Sequence, residues 1–289
     1  MDKFKELELR HPCFSKKAHF NKGRIHLPVS PICNIQCKFC KRGFNKFEER
    51  PGVTRKILKP EESVEIVKKA LELCPEISVV GIAGPGDTLA TDDAINTFAA
   101  IGKEFPGLIS CLSTNGLELY NKAEAIANAG VKTLTVTVNS VNPKTQKDII
   151  SYINVNGKKV IGEEAARILI DAQLRGIKKI SELGVVVKIN TVLIPGLNDG
   201  EIEEIAKATA DRGASIINII PLIPQNEFSD HRRPTCEEIE KARSDAEKYL
   251  KVFKHCKHCR ADACGIPGKG VDISKLLYDI QVEETFSHG

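Results

Sequence analysis

Six short runs rich in apolar and β-branched residues alternate along the chain with longer stretches of helical periodicity. The runs fall near residues 24–30, 78–84, 109–115, 133–139, 185–192 and 215–223. The helical patterns lie near 61–73, 92–104, 121–129, 162–183 and 200–212, and another follows at 235–249. Pro60-Glu61-Glu62 and Thr235-Cys236-Glu237-Glu238 read as helix starts, with acids in the first turn. Strands alternating with helices predict βαβ crossovers and a parallel sheet. Within the runs, polar and apolar residues alternate with the period of a strand. Arg24, His26 and Ser30 share one face against Ile25, Leu27 and Val29, and Cys111, Ser113 and Asn115 share a face of the third run. Thr133, Thr135, Thr137 and Asn139 oppose Leu134, Val136 and Val138, while Lys188 and Asn190 oppose Val187 and Ile189. A flat sheet covered by helices on both faces would show near-continuous apolar strands instead. The pattern therefore predicts an α/β fold built as a partial (β/α)6-type barrel, apolar outward against its helices and polar toward a wet interior. Residues 24–252 are expected to form the barrel, with 1–23 as an extension over its mouth and 253–289 as a separate C-terminal segment.

The chain has 289 residues, 42% hydrophobic and 28% charged, the composition of a globular protein with a real core. Lys+Arg minus Asp+Glu is 42 − 38 = +4, spread along the sequence, and aromatic content is only 5%. Neither a basic patch interleaved with aromatics nor a long apolar run stands out, which argues against nucleic-acid and membrane partners. No secretory leader is evident, so a cytoplasmic location is expected.

Ten cysteines then change the picture. A disulfide framework is typical of short secreted chains, which leaves buried small hydrophobes or metal ligands. "SPICNIQCKFCKRGF" places Cys33, Cys37 and Cys40 within eight residues, directly after the first strand. That is the C-terminal mouth, where parallel α/β folds put their chemistry. A structural zinc site wants four ligands, whereas three thiolates suit an iron–sulfur cube with one iron left open.

C-x3-C-x2-C, with aromatic Phe39 before the last cysteine and after strand one of a βα barrel, resembles the radical S-adenosylmethionine (SAM) superfamily. The resemblance implies a [4Fe–4S] cluster on Cys33, Cys37 and Cys40 whose open iron binds SAM. It also implies SAM contacts from Phe39, from Gly84 and Asp87 of "AGPGDTLA", and from Asn115, Asn139, Lys188 and Asn190. Further motifs, "HPCFS" (11–15), "GRIHLPVSP" (23–31), "RPGV" (50–53), "VNSVNP" (138–143), "VLIPGLND" (192–199) and "HCKHCRADACGIPG" (255–268), occur in order over nearly the whole chain. Together they resemble the NifB family of nitrogenase cofactor biosynthesis proteins, a radical SAM barrel with N- and C-terminal extensions carrying cluster ligands. The family's reaction fuses two [4Fe–4S] units, K1 and K2, into an eight-iron precursor with a SAM-derived carbide and an added sulfide. The resemblance implies Cys13, His26 and Cys111 as K1 ligands, and Cys256 and Cys259 as K2 ligands. It implies as partners an iron–sulfur cluster donor, an electron donor such as ferredoxin or flavodoxin, and a separate product carrier, since no fused carrier domain is expected.

Bland readings stand beside these. His26 also fits a hydrogen-bonded interior histidine, and Cys111 a small buried thiol. Cys256 and Cys259, with His255, His258 and Cys264, would complete a zinc tetrahedron. Cys264 stands where the family has an apolar residue, and Lys46 where many relatives carry a cysteine. Cys74 and Cys236 sit alone in helical contexts and read as structural. The alternative functions are a radical SAM enzyme with an auxiliary cluster acting on an organic or peptide substrate, and a non-catalytic iron–sulfur scaffold.

Overall fold

The computed structural model describes residues 3–45, 47–270 and 272–278. Its centre is one eight-stranded sheet. In chain order the strands are β1 (Gly23–His26), β2 (Ile77–Ile82), β3 (Ile109–Thr114), β4 (Thr133–Thr137), β5 (Val186–Leu193), β6 (Ala214–Pro221), β7 (Lys251–Val252) and β8 (Cys264–Gly265). β1 to β7 run parallel in sequence order, and β8 adds antiparallel to the outer edge of β1, pairing Arg24 with Gly265. The sheet is thus an open, partial barrel whose two edges are β7 and β8.

Helices α1 (Lys3–Arg10) and α2 (Lys16–Asn21) precede the sheet. α3 (Ser63–Leu73), α4 (Asp93–Glu104), α5 (Leu119–Asn128), α6 (Pro143–Ile149), α7 (Gly162–Glu182), α8 (Ile202–Ala210) and α9 (Cys236–Glu247) follow. Their apolar stripes recur at helical spacing, as in Ala94, Thr97, Phe98 and Ile101 of α4, all buried. α9 begins with a capping box in which Thr235 and Glu238 satisfy each other's backbone amides. The main core lies between these stripes and the outward strand residues, including Ile25, Leu112, Leu134, Val136, Val187, Ile189 and Ile217. The polar residues of the same strands point inward, as the period-two pattern requires. β1 ends at His26, shorter than its apolar pattern, because Pro28 withholds a ladder donor; beyond it only Ser30 bridges to Pro85. α6 and the hairpin Ile150–Val155/Lys158–Val160 were not legible as elements, and the hairpin's first strand pairs antiparallel with Ile35–Cys37.

The N-terminal extension corrects an expectation. It does not lie over the mouth but closes the opposite end, where the strands begin. Ser78 Oγ donates to the Arg10 carbonyl at 2.6 Å, Lys3 reaches the Gly184 carbonyl, and Arg10 that of Gly107. Leu7 and Phe14 pack there with the inward residues Val79, Ile109 and Ile216. These strand starts present the apolar inward side chains, so an apolar plug fits the floor and not the polar mouth.

The seam between β7 and β8 is spanned by the chain that links them. Phe253 N–H donates to the Ile217 carbonyl, Ala261 N–H to Val53, and His26 N–H to Ala263. A fully buried ionic network locks this span: Asp262 pairs with Arg55 at 3.2 Å and with Arg260 at 2.8 Å. Asp262 also accepts the Arg55 backbone N–H at 2.7 Å, and Arg260 reaches the carbonyls of Asn45 and Glu48. No helix among the described residues is long and apolar enough to cross a membrane. Removing one partner of a buried pair strands the others, so Asp262→Asn should cost about 3–5 kcal/mol in denaturant unfolding. An unchanged midpoint would show that the network does not hold the seam.

Candidate metal and SAM site

A cavity of about 350 Å³ fills the barrel interior, and every histidine or cysteine expected to hold an iron–sulfur cluster lines it. Cys33, Cys37 and Cys40 enter from the loop after β1. Two neighbours shape that loop. On one side Lys38 N–H donates to the Ile149 carbonyl at 2.9 Å, continuing the pairing of Ile35–Cys37 with the hairpin. On the other, Gly86 and Asp87 N–H groups donate to the carbonyls of Ser30 and Ile32 at 2.7 and 2.8 Å. A Cβ at Gly86 would lie 2.2 Å from the Ile32 oxygen, so the glycine is required by this backbone-to-backbone approach. Inside the loop, Cys40 N–H donates to the Cys37 carbonyl at 3.0 Å, and Gln36 Nε2 donates to the carbonyls of Cys37 and Cys40.

The SAM-side residues divide by what already occupies them. Asp87 is buried and accepts from Thr114 Oγ1, Asn115 N–H and Leu89 N–H, which ties the β2 loop to the end of β3. Burial pushes its carboxyl up while those amides oppose the shift. Asn115 donates to Asn34 at 2.7 Å, with its amide 3.9 Å from Cys33 Sγ. Asn139 Oδ1 accepts Val192 N–H, and Asn190 accepts from Asn218 Nδ2 at 3.2 Å. Phe39 lines the cavity and lies 6.5 Å from the Phe228 ring. Gly84 adopts φ +121° in the loop that faces Ala261. Lys188 is engaged at the floor instead, 3.4 Å from the Cys13 carbonyl and 4.6 Å from the Phe253 ring centroid.

Deeper in the cavity, Cys13 rises from the N-terminal plug while His26 and Cys111 point in from β1 and β3. His26 Nδ1 lies 3.0 Å from the Arg260 carbonyl, which can only accept, so the proton sits on Nδ1 and Nε2 keeps its lone pair. The ring has room because β2 carries Gly81 opposite; a Cβ there would come within 2.9 Å of it. Burial and the nearby Arg24 charge hold His26 near pKa 4, hence neutral at physiological pH. Cys256 and Cys259 enter from the seam, and Cys13 lies within electrostatic reach of Cys111, Cys256 and Cys259. Burial pushes the thiols of Cys13 and Cys33 up to about 12, and raises Cys37, Cys40 and Cys111 as well. Each thiol group has a buried cation beside it: Arg42 by the loop, Lys188 by Cys13 and Cys111, Arg24 by Cys259.

Several expectations change. Cys264 is no ligand and completes no zinc tetrahedron, because its side chain faces outward into the main core. His255 packs among His19, Phe20 and Phe253, away from the cavity. Cys74 is buried, Cys236 is exposed at the start of α9, and Lys46 lies outside the described residues. Sequence reading missed His11, whose Nδ1 accepts Cys13 N–H at 3.1 Å and whose Nε2 is buried without a partner. It also gave no role to Arg24 or Asn218, which line the cavity too, as does His258, weighed there only as a zinc ligand. The signal existed for Arg24, on the same strand face as His26, and for His11, two residues before a candidate ligand.

A half-open parallel barrel with three thiols on the loop after its first strand defines a radical SAM protein, and residues 27–209 match the family described as Radical SAM superfamily. A radical SAM methyltransferase from Sphaerobacter thermophilus shares the fold, with a TM-score of 0.56 at 16% identity over 80% of this chain and 64% of that one. In sequence, the chain is 49% identical over 268 residues to the FeMo cofactor biosynthesis protein NifB of Methanocaldococcus infernus, covering 92% of this chain and 88% of that protein. The NifB of Methanocaldococcus jannaschii is 47% identical, covering 92% and 89%. The chain belongs to the NifB family of radical SAM proteins.

Membership brings a [4Fe–4S] cluster and SAM, and the residues fit them: a buried, soft, three-thiol set lacking a fourth protein thiol in the loop. Two outcomes follow. Gly86→Ala should push the β2 loop off Ile32 and lower anaerobically bound iron by about four per chain while leaving the other thiols able to bind. Full iron content in that variant would mean the loop tolerates displacement. Because metal must displace protons from thiols that burial keeps protonated, iron–sulfur loading should strengthen steadily from pH 6 to 9. A pH-independent anaerobic titration would contradict that ordering.

Proposed function

We propose that the chain fuses two [4Fe–4S] units, bound as substrates at Cys13/His26/Cys111 (K1) and Cys256/Cys259 (K2). The product is an eight-iron precursor of the nitrogenase cofactor containing a SAM-derived carbide and an added sulfide. What carries the reading is the shared cavity: both groups of candidate ligands and the three loop cysteines line it, and Cys13 lies within electrostatic reach of Cys256 and Cys259. Relatives named for FeMo cofactor biosynthesis support the same direction.

Bound at Cys33, Cys37 and Cys40, a [4Fe–4S] cofactor supplies an open iron for the amino acid end of SAM and the electron that cleaves its sulfonium. Two SAM molecules would supply the carbon chemistry: one a methyl group for a substrate-cluster sulfide, with S-adenosylhomocysteine as by-product, and one, on taking an electron, the abstraction of a hydrogen atom from that methyl group, with methionine and 5′-deoxyadenosine as by-products. The chain's residues position these partners. His26 offers its Nε2 lone pair while Nδ1 is held by Arg260, and Asp87 fixes the two loops around Cys33. The plug of Leu7 and Phe14 keeps water from the floor. The partners of this scheme are a separate iron–sulfur donor, a ferredoxin or flavodoxin, and a carrier for the product.

Anaerobic reconstitution tests the scheme. About twelve irons per chain are expected in the parent, and about eight in Cys33→Ala/Cys37→Ala/Cys40→Ala, by elemental analysis and EPR. With SAM and reductant, only the parent should form both 5′-deoxyadenosine and S-adenosylhomocysteine. Four irons in the parent and none in the triple variant would exclude the K1 and K2 assignments. Full iron without either SAM product would leave a scaffold.

A further inference from the structure

Arginine is costly to bury, and the described residues bury five arginines around the cavity and the seam: Arg24, Arg42, Arg50, Arg55 and Arg260. Two of them share the carboxylate of Asp262. Arg24 is different. Among the described residues it pairs with no carboxylate: its NH1 donates to the Gly265 carbonyl at 2.8 Å, its NH2 to Cys259 Sγ at 3.3 Å, and its Nε is buried without a partner. Asp272 acts on it through space without forming a pair, so the guanidinium's direct partners are one carbonyl and one sulfur. The guanidinium also faces the cavity, on the same strand face as His26.

We infer that Arg24 is the counter-charge of the Cys256/Cys259 site, donating to the Cys259 sulfur while that thiolate holds a substrate iron–sulfur cluster. The inference rests on the assignment of Cys256 and Cys259 as ligands. A cluster on thiolates is anionic, and it supplies the missing negative charge at the place where the guanidinium is already fixed. The fixing is exact in register terms: Arg24 pairs with Gly265 across the β1–β8 ladder, so the strand that closes the seam also aims the guanidinium at Cys259. Hydrogen bonds to cluster sulfurs and a nearby positive charge favour the reduced, more negative state and raise the reduction potential. The same charge retains a cluster that has only two protein thiolates, without adding a third Fe–S bond that would have to break when the product leaves. Arg24 is thus a positioning and charge-balancing residue, acting on the substrate through Cys259.

The test uses the full chain carrying Cys33→Ala/Cys37→Ala/Cys40→Ala and Cys111→Ala, so that the signal comes from the Cys256/Cys259 cluster. With arginine labelled by 15N in the guanidino group, pulsed EPR of the reduced cluster should show a 15N hyperfine coupling. That coupling should vanish in Arg24→Met and Arg24→Gln. Both variants should also move the cluster's midpoint potential to more negative values and lose iron faster to a chelator, with Arg24→Lys between them and the parent. A purely structural Arg24 would give no coupling. Absence of coupling in the labelled parent chain, which needs no Arg24 substitution to fold, overturns the inference, as does an unchanged potential in either neutral variant. Failure of the underlying ligand assignment looks different: Cys256→Ala/Cys259→Ala would then leave iron content and the EPR signal as they were.

Discussion

The carboxylate of Asp262, wholly buried between the guanidinium groups of Arg55 and Arg260, is the interaction on which the rest of the structure depends. A parallel barrel that stops after seven strands leaves a gap between its edges, and a gap exposes both unpaired strand edges and the inner cavity to water. Here the gap is covered by irregular chain, which has no ladder of its own to hold it. One carboxylate fastens that chain at two points, to the loop following β1 and to itself. Oδ2 accepts from Arg55 N–H, Arg55 NH1 and Arg260 NH2, and Oδ1 from Arg260 Nε, so four protein donors take the place of water around the ion. Because Arg260 also holds the carbonyls of Asn45 and Glu48, the seam and the thiol loop are fixed relative to each other by the same charge.

Enclosure has an electrostatic price that the cavity settles locally. Low dielectric holds the thiols protonated and His26 neutral, so the charge facing the cavity comes from its basic side chains and Asp87. Arg42, Lys188 and Arg24 are distributed one to each thiol group. Asp87, the carboxylate at the loop end, accepts from the Thr114 hydroxyl and two backbone amides. The interior is prepared for anions, and thiolate-bound iron–sulfur units are anions.

How much of this the sequence carried follows from periodicity. Two-faced strands of period two gave the barrel, its polar lumen and the inward direction of His26, Cys111 and Lys188, because side-chain direction in a strand is a local property. The helices with long apolar stripes were equally legible. What was not legible depends on contacts distant in sequence. The plug's position at the floor follows from Leu7 and Phe14 meeting Val79, Ile109 and Ile216, which no local pattern announces. Cys264 looked like a ligand by spacing, yet one residue of antiparallel register turns it to the outer core beside Ile25. Gly84 of "AGPGD" was read as a SAM contact, while the approach of Gly86 to the Ile32 backbone was announced by no local pattern. Arg24 was placed on the correct face, but its partner, Cys259, lies 235 residues away.

That distance has a consequence for how the molecule is made. Among the described residues, β1 is the first strand of the sheet to be synthesised and β8 the last, and they are neighbours in the finished sheet. Pairings this remote in sequence close late, after local βα units have formed. During synthesis the six strands and their helices can therefore consolidate while the side of the barrel still stands open. Cys13, His26, Cys33 and Cys111 exist in the nascent molecule before Cys256, Cys259 and the wall that bears them. The chamber is sealed only when its final strand arrives, so the order of the genetic message is also the order in which the walls of the chamber are raised.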